Sequence, residues 1–266
     1  LSGVVSASNI NVLGVTWDPD YPGTKFTQGD FHTSTASFRQ WYTDASGPDF
    51  MAGGNLTPDL DEATVSPGVV NPGIPGSYLV GVGLIEYIND KPNSNFMCST
   101  CELTYAFGGI IYDGELSDGS AFDRTNSSGW LNFYVDSSKD ASLPITGQST
   151  VNQFTDGALW LSLSLDFLQE RPGWTVTTGF IDSYWSITGG AAAANFMRDT
   201  KQYGIDDMIG FSDFHFAANA TFEPPFLVAT GSANGYADTI TIPEPNSLAL
   251  LGLGMLGFGA ARRKTA

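Results

Sequence analysis

Nine residues, 159–167, constrain the fold of this chain most. They read Leu159-Trp160-Leu161-Ser162-Leu163-Ser164-Leu165-Asp166-Phe167, so Leu161, Leu163, Leu165 and Phe167 oppose Ser162, Ser164 and Asp166. Side chains of an extended chain point alternately to opposite faces, so a period of two describes a strand with one face on a core and one towards water. The pattern recurs. Leu131, Phe133 and Val135 alternate with Asn132, Tyr134 and Asp136; Leu103, Tyr105 and Phe107 share one face of residues 103–111. Residues 78–88 set Tyr78, Val80, Val82, Leu84, Glu86 and Ile88 against Leu79, Gly81, Gly83, Ile85 and Tyr87. Further strands are expected at 175–184, 211–222 and 226–230, and one short helix at 191–202. Asp113-Gly114, Asp118-Gly119 and Asp156-Gly157 are hairpin-type turn signals. Short alternating runs between Gly, Asp and Asn turns predict an all-β fold, an antiparallel β-sandwich of jelly-roll type with one short helix.

Residues 53–77 depart from this pattern, with Pro58, Pro67, Pro72 and Pro75 among glycines and few aromatics. A loop of that length is either functional or loosely ordered. It falls inside one β-rich domain, residues 1–242. Only 15% of residues are charged, so the surface must be largely Ser, Thr, Asn, Gly and Asp, as in extracellular β-proteins. The net charge of −17 repels nucleic acid and anionic lipid and favours divalent cations or basic partners.

Residues 243–266 form a separate unit. Pro243-Glu244-Pro245 is followed by an apolar run carrying Leu248, Leu250, Leu251, Leu253 and Leu256, then by Arg262, Arg263 and Lys264. The prolines keep the chain extended and open to a protease. The apolar run partitions into a bilayer, and the basic end resists translocation. The uncharged stretch 247–261 spans roughly 22 Å as a helix against about 30 Å of hydrocarbon, short for a permanent anchor. Gly252-Leu253-Gly254-Met255-Leu256-Gly257 fits GxGxxG, but it lacks the preceding strand and following amphipathic helix of a dinucleotide fingerprint.

In order and position these parts resemble the PEP-CTERM sorting signal of Gram-negative bacteria. The resemblance implies an exported protein whose C-terminal sorting helix enters the inner membrane only transiently. An exosortase-type protease would cut at or near residues 243–245 and leave an extracellular or cell-surface product. An export signal is then required; residues 1–7 read either as the end of one or as the lead into a strand reaching Trp17. More loosely, residues 14–20, 80–89, 101–109 and 191–216 resemble the flocculation-associated group of PEP-CTERM proteins. That likeness implies a biofilm-matrix or surface protein that helps cells bind exopolysaccharide and flocculate.

Cys98 and Cys101 are the only cysteines. Outside the inner membrane a disulfide is the expectation, contributing roughly 2 kcal/mol or less across so short a loop. A redox Cys-x-x-Cys lacks its βαβ context, and zinc would need both His32 and His215. Asp18 with Asp20, and Asp113 with Asp118, are the candidate calcium ligands, since Asp-x-Asp in a flexible loop supplies half a shell of oxygens. Asp is equally a favoured turn residue. No Gly-x-Ser-x-Gly elbow is present, and His215 lies between Phe214 and Phe216 as a sheet-surface histidine, so no catalytic residue is assigned. Trp130 and Trp160 fall opposite the apolar faces of their strands and are the candidate sugar-stacking platforms. The expected protein is a non-catalytic, sorted matrix or surface protein associating with exopolysaccharide. A lectin-like module with one defined sugar site is the alternative, and a glycoside hydrolase the third.

Overall fold

The strands follow the alternation of the residues, and the sheet they build closes on itself. The computed structural model describes residues 7–22, 29–44, 47, 69–70, 75–114, 122–123, 128–145, 147–171, 178–205, 208–221 and 228–240. A hairpin of β1 (Ile10–Val12) and β2 (Val15–Trp17) precedes the long β3 (Phe31–Thr43), which carries the two-residue β4 (Val69–Val70). Next come β5 (Tyr78–Leu84), β6 (Tyr87–Ile88), β7 (Lys91–Pro92), the one-turn α1 (Asn93–Phe96), β8 (Glu102–Ile111) and β9 (Trp130–Asp136). After α2 (Gln148–Asn152) follow β10 (Ala158–Glu170), β11 (Thr178–Gly189) and the hairpin β12 (Lys201–Ile205) and β13 (Met208–Ser212). β14 (Phe214–Thr221) and β15 (Val228–Ala237) complete the set.

Strands β3, β5, β8, β9, β10, β11, β14 and β15 pair antiparallel in that order, and β15 pairs back with β3 along residues 228–237. The result is a closed eight-stranded up-and-down barrel, which corrects the jelly-roll sandwich expected from the sequence. Alternation says which residues face inward; it does not distinguish two packed layers from one closed ring. Closure also leaves the ring no open edge.

An eight-stranded barrel is just wide enough for its own side chains to fill. Here the filling is uneven by strand. β15 turns Ala229, Gly231, Ala233, Gly235 and Ala237 inward, and β5 turns in Gly81 and Gly83. Aromatic rings from other strands occupy the space. A Cβ on Gly81 would lie 2.5 Å from the Phe107 ring, on Gly83 2.5 Å from Tyr105, on Gly231 2.5 Å from Phe38, and on Gly235 2.6 Å from Phe214. The β1–β2 hairpin plugs one end: Trp17 packs edge-on to Phe31 and Trp160, both at 5.6 Å, and stacks on Phe196 at 5.8 Å. Towards the other end an apolar cavity of about 40 Å³ remains among Leu79, Ile110, Leu168, Ile181, Phe216 and Ala218.

Outside the ring, Ile145, Val151 and Phe154 of residues 137–157 pack on Trp41, Val80, Val82 and Ala106. The helix expected at 191–202 is a single 3-10 turn (Ala193–Asn195) that delivers Phe196 to the core, and Lys201 already belongs to β12. Packing of Phe196 outweighs the helix propensity of the alanine run. β8, β9 and β10 match the expected strands closely; β11 extends to Gly189, and residues 211–222 divide at Asp213 between β13 and β14. Except for 69–70 and 75–77, the Pro/Gly loop at 53–77 lies outside the described residues, as does the sorting helix within 243–266.

Candidate functional site

A register shift in β10 between Leu165 and Phe167 turns Phe167 to the outside of the barrel. From it a row of directly paired residues crosses five strands. Phe167 opposes Tyr184, Tyr184 opposes His215, His215 opposes Tyr236, and Tyr236 opposes His32. Directly opposed residues on one face sit at ring-stacking distance. Tyr184 and His215 stack at 4.6 Å, His215 and Tyr236 at 5.6 Å, and Tyr236 and His32 at 5.0 Å with planes 5° apart. Tyr203, from the β12–β13 hairpin, stacks on Phe167 at 5.1 Å and closes one end of the row. Phe167 and His215 are buried, while Tyr184, Tyr236 and His32 are half-buried, the ring nitrogens of His32 being enclosed.

Polar groups border the row. Asp182 Oδ1 lies 3.0 Å from His215 Nε2 and accepts from Arg171 Nη2 at 2.8 Å; Arg171 Nε donates to Asp182 Oδ2. Burial alone would raise the Asp182 carboxyl, but the His215 and Arg171 hydrogen bonds outweigh it and hold it down to about 2. Burial lowers His32, opposed by a hydrogen bond with Asn234 and by the charge of Asp90. Burial, then the charge of Asp182, raises the Tyr184 and Tyr236 hydroxyls, which therefore stay protonated as donors. The adjacent Ser183 points into the barrel, where its Oγ donates to Phe216 O at 3.0 Å.

The residues singled out in the sequence lie elsewhere. Trp160 is 1% exposed in the aromatic plug, its Nε1 donating to Val12 O at 3.2 Å, so it offers no platform for sugar. The register shift between Leu159 and Leu161 against β9 turns it inward alongside Leu161, which strict alternation did not foresee. Trp130 is half-buried against the outer apolar cluster. Asp18 and Asp20 sit in a turn, Asp20 N–H donating to Asp18 Oδ1 at 2.9 Å and the Asp20 carboxylate accepting from Ala7 N–H. Asp113 follows β8, and its partner Asp118 lies outside the described residues. Cys98 and Cys101 form a disulfide, Cα atoms 5.2 Å apart, in the loop between α1 and β8 beside Gly14 of the β1–β2 turn.

Among the described residues the only grouped set of potential metal-ligating acids is one the sequence did not suggest: Glu102, Asp136 and Asp140. Strand register assembles the aromatic row and opposes Glu102 to Asp136, and the turn after β9 adds Asp140.

Residues 241–264 match the PEP-CTERM protein-sorting motif. No curated protein and no solved structure matches the chain. The motif marks the protein for exosortase-dependent sorting, with export to the cell surface or extracellular space after C-terminal processing. Pro243, Glu244 and Pro245, the apolar leucines and Arg262, Arg263 and Lys264 all fall in that segment, outside the described residues.

Proposed function

We propose that the exported barrel is a non-catalytic surface protein that associates with exopolysaccharide through its outer aromatic row, and so promotes flocculation or biofilm formation. The observation that carries this reading is the row itself: Tyr184, His215, Tyr236 and His32 are paired in register, with Asp182, Arg171 and Asn234 at its border. The rings cover one another's faces, so Tyr184 and Tyr236 offer a sugar their edges and their hydroxyls, which donate to its oxygens. The barrel interior is filled by aromatic side chains, which favours ligand contact on the outside. Each contact is weak. A polymer that engages many copies on one cell multiplies it through effective concentration.

A lectin-like module with one defined glycan site is the second reading, and the fixed geometry of the row favours it as well. Binding of the full chain to exopolysaccharide from the producing cells tests both. The Tyr184→Ala/Tyr236→Ala double variant should bind about 30- to 150-fold more weakly, a loss of about 2–3 kcal/mol for two aromatic anchors. Competition by one monosaccharide would favour the lectin; loss of binding without sugar selectivity favours the matrix protein. Wild-type binding by the double variant would remove the row from both.

A further inference from the structure

Glu102 is the first residue of β8 and Asp136 the last of β9, and the two are directly opposed in register. Like charges placed opposite one another destabilise a strand pair. Both side chains are buried, Glu102 at 5% and Asp136 at 8% exposure. The turn that follows β9 brings Asp140 to the same rim, so that one carboxylate oxygen of each of the three lies within 4.8 Å of the other two. Two oxygens that share an ion at about 2.4 Å stand no more than about 4.8 Å apart, so the spacing suits a single cation.

Asp136 carries the second observation. Its Oδ1 accepts from Ser138 Oγ at 3.2 Å, whereas its Oδ2 is enclosed and has no hydrogen-bond partner among the described residues. A buried carboxylate oxygen without a donor is costly. Lys139, the cation of the same turn, reaches away and donates to Ser99 O at 2.9 Å. Glu102 Oε1 accepts from Ala141 N–H at 2.9 Å, and the Asp140 backbone also interacts with the carboxylate, but both donors are neutral. Burial raises the Glu102 carboxyl, and Asp136 and Asp140 raise it further; Asp156 is raised by burial and by the same two acids. No histidine or free thiol joins the group, and an all-oxygen donor set selects a hard cation.

We propose that Glu102, Asp136 and Asp140 hold one calcium ion. The ion neutralises the acids, gives Asp136 Oδ2 its missing partner and fixes the start of residues 137–157, the segment that covers the outer apolar cluster. Asp140 is exposed, which leaves room for water to complete the shell. Three carboxylates at a rim suit the weak calcium affinity of extracellular modules, a Kd of about 10⁻⁴–10⁻³ M.

Calcium titration of the chelator-stripped full chain by calorimetry, with melting curves alongside, tests the site. One ion should bind per chain, and for a Kd of about 1 mM, roughly 10 mM calcium should raise Tm by about 3–6 °C. Asp136→Asn should weaken binding at least about tenfold and, without calcium, melt no lower than wild type, since it removes a buried charge. Asp140→Asn, in the exposed turn, should fold normally and lose the same calcium-induced rise. The Asp18→Asn/Asp20→Asn double variant should bind as wild type. Absence of saturable binding up to about 10 mM calcium, or wild-type binding by Asp140→Asn, would overturn the proposal.

Discussion

Two flanks of one barrel can be set side by side. Where β3, β5, β8 and β9 face outward they carry Trp41, Val80, Val82 and Ala106, and residues 137–157 fold back to bury them. Where β10, β11, β14 and β15 face outward they carry Phe167, Tyr184, His215 and Tyr236, and among the described residues the β12–β13 hairpin leans on one end. Both flanks obey the same alternation. The difference lies in the side chains. Val80, Val82 and Ala106 have no polar end to leave in water, so their flank needs a cover worth about 25 cal/mol for each Å² removed from solvent. Tyr184 and Tyr236 stack through their faces and stay half-buried, so the row is stable half-open although the nitrogens of His32 are enclosed.

The largest expected effect lies on the covered flank. Phe154 is 0% exposed beneath the cover, and Phe154→Ala should cost about 3–4 kcal/mol in urea unfolding while leaving polysaccharide binding intact. Equal losses of stability and binding would show that the flanks are not independent. On the open flank the Asp182 ion pair comes next. Its carboxyl is held below its unfolded value of about 3.9, so its contribution is present above that pH and fades as pH falls towards about 2. Because Arg171 is 54% exposed, that contribution is discounted to about 1–2 kcal/mol. Melting curves from pH 5 to pH 2 should fall less steeply for Asp182→Asn than for wild type, and parallel curves would count against the pairing. The smallest effect belongs to His32. Burial lowers its pKa, so the unfolded chain takes up the proton first, and stability is complete above about pH 6.5 and declines below it. His32→Gln should flatten the Tm profile between pH 7 and pH 5; an unchanged slope would leave the histidine without a role there.

How much of this was legible in the sequence depended on whether a strand announces its inner face with large apolar residues. β8, β9 and β10 do, through leucines and aromatics set against Ser, Thr and Asn, and their bounds were close. β3 and β15 do not. The start of β3 turns Thr33 and Thr35 inward before a register shift, and β15 turns in only alanine and glycine. These two strands make the seam, so the element hidden from the sequence was the one that decides barrel against sandwich. The site was hidden for a related reason. Phe167, Tyr184, His215, Tyr236 and His32 belong to five strands, and one shift of register in β10 decides whether Phe167 joins them. The sorting motif was legible because its order along the chain is its function; no folding is needed to assemble it.

The seam also sets an orientation. Ala237 at the end of β15 pairs with Phe31, beside the Trp17 plug, and Pro243 lies six residues further on. Residues 238–240 stay bound at that end, Met197 N–H donating to Asp238 O and Ile240 N–H to Asn195 O, so three residues, at most about 11 Å of extended chain, lead from Ile240 to Pro243. A tail held in the bilayer would therefore tether the plugged end of the barrel towards the membrane surface. The ring itself is completed only when residues 228–237 pair with β3, so its closure waits for nearly the whole of the described chain.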